Sequence, residues 1–187
     1  MKKLLFVALF FAAALNVQAQ TELKINPLGI LFSNPELSAE FAVNEHIGIE
    51  PSFGISYLKL TIDNDVFKSS GFSYGVNGKY YFSPESGIDK FYAGIYLRGG
   101  ASSFKGTGAS AGDNLKRNRL GGGLSFGYKW VSSQNIVFDL GTGIGRKVFD
   151  KYTLDGGNTN TANIPLLNID FYIRFGVGYR FGGGSKR

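Results

Sequence analysis

The chain ends on an unbroken alternation. Ile169, Phe171, Ile173, Phe175, Val177, Tyr179 and Phe181 are interleaved with Asn168, Asp170, Tyr172, Arg174, Gly176, Gly178 and Arg180. A period of two sends successive side chains to opposite faces of a β-strand, so this segment carries one greasy face and one that is charged or small. The same split recurs upstream. Leu37, Ala39, Phe41 and Val43 oppose Ser38 and Glu40, and Ile47, Ile49, Pro51, Phe53, Ile55 and Tyr57 oppose Gly48, Glu50, Ser52, Gly54 and Ser56. Phe72, Tyr74, Val76, Tyr80 and Phe82 face away from Ser73, Gly75, Asn77 and Lys79; Leu120, Leu124, Phe126, Tyr128 and Trp130 face away from Gly121, Gly123, Ser125, Gly127 and Lys129. Ile136, Phe138, Leu140 and Ile144 oppose Asp139, Gly141, Gly143 and Gly145. In the fifth segment Phe91, Ala93, Ile95 and Leu97 compete with Tyr92, Tyr96 and Arg98 for the apolar face. The first segment, residues 23–31, is interrupted by Pro27, which suits a strand end or bulge. Eight strands are expected.

Residues 1–19 read as a cleaved export signal. Lys2 and Lys3 precede an apolar run over 4–15, and Val17-Gln18-Ala19 offers a small-residue cleavage site. As a helix the run measures about 18 Å, short of the roughly 30 Å of a hydrocarbon core. Residues 20–181 then form one barrel domain and 182–187 a short polar tail. With no cysteine and His46 as the single histidine, disulfide scaffolds, thiolate metal sites, catalytic thiols and His-rich metal centres are excluded.

The connections alternate in length. Residues 44–46, 83–89 and 132–135 are short, whereas 61–70, 102–118 and 149–163 are long and rich in Gly, Asn, Asp and Ser. The connection at 32–36 is a short one at the long end. Short turns at one end and long loops at the other describe an up-and-down outer-membrane barrel with both termini at the short-turn side. Volume decides which face points inward. An eight-stranded barrel has an interior just wide enough for side chains, and roughly three dozen bulky apolar residues would overfill it. The apolar faces are therefore predicted to meet lipid. Aromatics near strand ends fit interfacial girdles.

With its signal, its eight alternating segments and a last strand ending Gly176-Val177-Gly178-Tyr179-Arg180-Phe181, the chain resembles the small OmpA/OmpX-type outer-membrane barrels over nearly all of its mature length. The resemblance implies an eight-stranded antiparallel transmembrane β-barrel, all-β in class. It also implies that Tyr179 and Phe181 belong to an aromatic-ended signal read by the barrel-assembly machinery. The chain departs from the pattern in continuing for 182–187, and no peptidoglycan-binding domain follows.

On the polar face Glu40, Glu50, Asp139 and Asp170 are joined by Lys79, Arg98, Lys129, Arg174 and Arg180. Unpaired charge is costly in a narrow, water-poor lumen, so these are expected to pair into a network that plugs the barrel. The alternative is that the pairs rearrange to gate a small pore or a hydrophobic-ligand channel. Lys116, Arg117 and Arg119 form a basic loop cluster, the candidate contact for lipopolysaccharide phosphates, with a solvated loop end as the plainer reading. Gly141, Gly143 and Gly145 share the parity of Asp139 inside a strand and read as small lumen residues rather than a phosphate loop. Asp63, Asn64 and Asp65 read as a polar turn rather than a calcium loop. His46 falls in a short periplasmic turn, away from the outer leaflet where lipid A-modifying chemistry would take place. The expectation is a non-enzymatic barrel without cofactor, metal or nucleic-acid partner, in contact with outer-membrane lipid and lipopolysaccharide, structural or surface-interacting in role.

Overall fold

A computed structural model describes residues 20–62, 65–107, 114–154, 159–161 and 168–182. The expected signal segment 1–19, the tail beyond Gly182, and Asp63 and Asn64 lie outside the described residues.

The alternating segments become β1 (Thr21–Ile25), β2 (Glu36–Ala42), β3 (Ile47–Ile62), β4 (Asp65–Tyr81), β5 (Lys90–Thr107), β6 (Asn114–Val131), β7 (Ile136–Leu154) and β9 (Ile169–Phe181). β8 (Thr159–Thr161) is a three-residue ribbon against the end of β7. Every pairing is antiparallel, and each strand pairs with its neighbour in sequence from β1 to β7. β9 then pairs with both β7 and β1, which closes the ring. A closed ring of eight strands leaves no open sheet edge along the closure, the one arrangement of strands that satisfies its own backbone throughout.

Two expectations are corrected. The first segment is not a strand over 23–31: β1 stops at Ile25, and α1 (Pro27–Leu31) follows. Asn26 accepts from Gly29 N at 3.2 Å as its N-cap, and Pro27 takes a first-turn position where its missing N–H costs nothing. The three long connections are also largely strand. β3 and β4 stay paired to Ile62 and Asp65, β5 and β6 to Lys105 and Asn114, and β6 and β7 to Leu115 and Leu154. In the upper parts the apolar residues change face: Leu58, Phe67 and Phe104 share the inward parity while Lys59, Lys68 and Lys105 take the outward one, so the single-phase alternation of the lower strands is broken there.

The faces are inverted relative to a water-soluble core. Ile95 is 69% exposed, Ile173 59% and Phe171 58%, whereas Glu22, Glu40 and Lys129 are 0% exposed inside the ring. Aromatics cluster on the outer face at the short-turn end, with Tyr80 against Phe82, Phe82 against Phe91, Tyr128 against Trp130 and Tyr179 against Phe181. In β5 the competition resolves with Phe91, Ile95 and Leu97 outside and Tyr92 and Tyr96 buried inside.

The wall is uneven in height. β1 and β2 are short, and above them the edge of β3 is completed by the chain after α1: Ile55 N donates to Pro35 O at 3.0 Å and Tyr57 N to Ser33 O at 3.1 Å. At the opposite end the turn after β4 folds beneath the ring. Asp89 accepts from the backbone of Glu85 and Ser86 and so fixes this turn, and Ile88 is fully buried against Tyr81 and Tyr92.

Candidate functional site

The lumen is filled by charge arranged in layers. Alternation places one inward side chain on each strand every second residue, and eight strands bring these side chains to within reach of one another. At the short-turn end Arg180 on β9 donates to Glu22 on β1 at 2.6 and 2.9 Å and to Ile88 O at 3.1 Å, tying the last strand to the first and to the floor turn. Lys129 on β6 reaches Glu22 and Glu40, each at 2.8 Å.

Above this lies the centre. Lys24 stands 2.5 Å from Glu40, 2.7 Å from Asp139 and 2.9 Å from Glu50. Lys79 stands 2.5 Å from Glu50, 2.8 Å from Asp139 and 3.1 Å from Glu40. The cations Lys24, Lys79, Lys129 and Arg180 thus balance the anions Glu22, Glu40, Glu50 and Asp139. Balance matters, because a buried charge left without its partner costs several kcal/mol. Tyr81 OH donates to Glu40 at 2.5 Å and Tyr92 OH to Asp139 at 2.9 Å. The same two rings lie beneath Lys129 and Lys79, at 4.7 and 4.5 Å. Glu40, Glu50 and Asp139 bring carboxylate oxygens within 4.8 Å of one another, a spacing that suits a metal ion. The ammonium groups of Lys24 and Lys79 already stand among these oxygens.

Further up, Arg174 pairs with Glu50, meets Glu36 at 3.1 Å and donates to Ser38 Oγ at 2.5 Å. Arg98 grips Asp170 in bidentate fashion at 2.6 and 2.7 Å and lies 4.9 Å from the Tyr172 ring, while Tyr96 OH donates to Asp170 at 3.0 Å. Between these pairs and the mouth is a cavity of about 140 Å³ lined by Asn26, Asn34, Arg98, Arg119 and Tyr172. At the mouth Arg117 holds Asp150 in a second bidentate pair at 2.6 and 2.7 Å, joined by Lys147 at 3.0 Å.

The inward glycines make room for the inward tyrosines. A Cβ on Gly127 or Gly141 would overlap the Tyr92 hydroxyl, and one on Gly143 would overlap the Tyr172 ring. Gly141 and Gly143 therefore serve as sockets, Gly141 for Tyr92 reaching over from β5 and Gly143 for its own register partner Tyr172 on β9.

The structure brings all nine expected lumen residues inside the ring: Glu40, Glu50, Lys79, Arg98, Lys129, Asp139, Asp170, Arg174 and Arg180. Glu22, Lys24 and Glu36 belong with them and escaped the sequence reading. Their signal was present, since Glu22 and Lys24 alternate with Leu23 and Ile25, but five residues before a proline give too short a run to define a face. Tyr179 and Phe181 lie on the outer face of β9. Alternation divides the basic cluster. Lys116 is exposed on the outer face of β6, Arg117 turns inward to Asp150, and Arg119 lines the cavity. His46 donates from Nδ1 to Tyr81 O at 2.8 Å, as it must to a carbonyl, and stacks on Tyr80.

No curated protein matches the chain. Among solved structures, the crystal structure of Acinetobacter baumannii CarO is similar with a TM-score of 0.54 and 9% sequence identity, covering 87% of this chain and 97% of that chain. At that identity the likeness is one of fold. A family model described as "Protein of unknown function (DUF3575)" matches residues 4–163, and the chain belongs to that family.

Proposed function

We propose that the chain is a bacterial outer-membrane β-barrel whose charged layers close the lumen to solutes, and that it acts as a structural or surface-interaction protein through the ribbons that project beyond the bilayer. The observation that carries this reading is the inversion of faces: large apolar side chains point away from the ring while lysines and carboxylates are fully buried within it. In β3 the outward apolar band runs from Ile47 to Tyr57. Ten residue steps at about 3.3 Å, tilted by about 40°, span about 25 Å along the axis, the height of the apolar belt on such barrels. The aromatics at the short-turn end supply one interfacial girdle. Lipid and lipopolysaccharide are the partners this reading implies, together with the barrel-assembly machinery at Tyr179 and Phe181. It assigns no catalytic role and no cofactor.

A second reading, a small pore, draws on the cavity above the central layer. Conduction would require that layer to break, because Lys24 and Lys79 bridge the carboxylates of β2, β3 and β7 across the ring. Planar-bilayer recording of the purified protein separates the two. The closed barrel gives no steady conductance, and a stable open level overturns it in favour of the pore. Heat-modifiable migration on a semi-native gel tests the membrane barrel itself, and an unchanged lipid A mass spectrum is the expected outcome for a protein without lipid-modifying activity.

A further inference from the structure

Above the apolar band three adjacent strands place lysines directly opposite one another. Lys59 on β3 is the register partner of Lys68 on β4, and Lys68 is the partner of Lys105 on β5. Direct partners in an antiparallel pair share a face with Cβ atoms about 5 Å apart. The shared face is the outer one, because Lys59 follows Ile55 and Tyr57 in parity and Lys68 follows Phe72 and Tyr74, all exposed outward. All three lysines are exposed. Lys116 on β6 and Arg146 and Lys151 on β7 extend the same face.

Like charges directly opposite one another weaken a sheet, and here the repulsion is repeated across two consecutive strand pairs. Among the described side chains no carboxylate pairs with Lys59, Lys68 or Lys105, and two of the acids described at this end, Asp150 and Asp170, face inward. Edge protection does not account for Lys68 or Lys105. β4 is paired on both sides, so Lys68 protects no free backbone. The row sits one step beyond Tyr57, where the apolar band of β3 ends.

We infer that Lys59, Lys68 and Lys105 form a phosphate-binding row for a phosphorylated lipid headgroup in the leaflet next to the projecting ribbons. The inference rests on the membrane reading above and supplies its partner chemistry. Three ammonium groups spread over two strand spacings match a phosphate diester or monoester in reach and sign, and the acyl chains of the same lipid then lie along Tyr57, Ile55 and Phe72. A bound phosphate replaces repulsion between the lysines with shared attraction.

The test compares the full chain with Lys68→Gln and with Lys59→Gln/Lys68→Gln/Lys105→Gln. Each is purified in neutral detergent and placed in nanodiscs of zwitterionic lipid containing either phosphorylated or enzymatically dephosphorylated lipid A. Native mass spectrometry reads the lipid A retained per barrel, and thermal unfolding reads stability. Phosphorylated lipid A is expected to stay with the wild-type chain and to be lost by about tenfold or more in the triple variant, whereas the dephosphorylated form is retained by neither. The stability effect of Lys68→Gln is expected to change sign: the unfolding midpoint rises in neutral detergent, where repulsion is relieved, and falls in phosphorylated lipid A. Equal retention by wild type and triple variant overturns the proposal, as does equal retention of the dephosphorylated lipid. Displacement by millimolar inorganic phosphate overturns the headgroup in favour of a free anion. A chain that does not enter nanodiscs and lacks heat-modifiable migration overturns the membrane reading itself, a result distinct from a folded, inserted barrel that retains no lipid A.

Discussion

Tyr92 can lay its hydroxyl against β7 because Gly141 carries no Cβ there. Gly141→Ala is expected to destabilise the barrel by about 1–3 kcal/mol through overpacking. In a Tyr92→Phe background the loss shrinks, because the atom that the new methyl meets is gone and the ring carbon behind it is 3.7 Å away. A double-mutant cycle on urea midpoints in lipid vesicles measures the coupling, and additive losses would remove the socket account. Glu40 is the hub of the charge layer, meeting Lys24, Lys79, Lys129 and Tyr81. Glu40→Gln leaves the centre with one cation too many and is expected to cost about 3–5 kcal/mol, part of which returns when Lys129→Met restores neutrality. At this scale parity was enough to place Glu40, Asp139 and Arg174 in one lumen. It could not say that Tyr81, Tyr92 and Tyr96 share that lumen, since an aromatic flanked by aromatics fits either face until the register with β6 and its glycines is known.

Among the elements, α1 is the one the sequence hid. Leu28, Ile30, Leu31 and Phe32 continue an apolar run too short to distinguish a turn of helix from a strand, and only Pro27 marked the break. Asn26→Ala removes the cap on Gly29 N and is expected to cost about 1 kcal/mol. Gly29→Ala is expected to cost more, because its Cβ would run into the Asn34 carbonyl, which belongs to backbone and cannot turn aside as a side chain could. Chemical denaturation of the two variants side by side gives the order, and the reverse order would argue against the packing of α1 on the 32–35 connection. The strands between Ile47 and Trp130 were legible wherever one face met charge and the other met grease. Past Tyr57, Phe72 and Leu97 the phase inverts, with Leu58, Phe67 and Phe104 inward and Lys59, Lys68 and Lys105 outward, while the pairing of the strands continues. Gly, Asn and Ser in those stretches read as loop for that reason.

For the molecule as a whole, the alternation, the count of strands and the order of short and long connections sufficed to infer the closed ring. Its unequal height was not visible, because it follows from where β1 and β2 stop. Closure depends on the five-residue β1 against β9, reinforced by Glu22 with Arg180, while β4 through β7 share much longer ladders. Amide hydrogen exchange is therefore expected to be fastest in β1 and β2 and slowest in the lower halves of β5, β6 and β7, and uniform exchange around the ring would contradict this. The lopsided wall also gives the molecule a bearing. Viewed down its axis, one flank is a high palisade carrying Lys59, Lys68 and Lys105, and the other is a low sill from which Leu31 and Phe32 protrude. A neighbour approaching sideways meets either a tall basic front or a greasy step, so any crowding of these barrels side by side has a preferred compass direction built into a single chain.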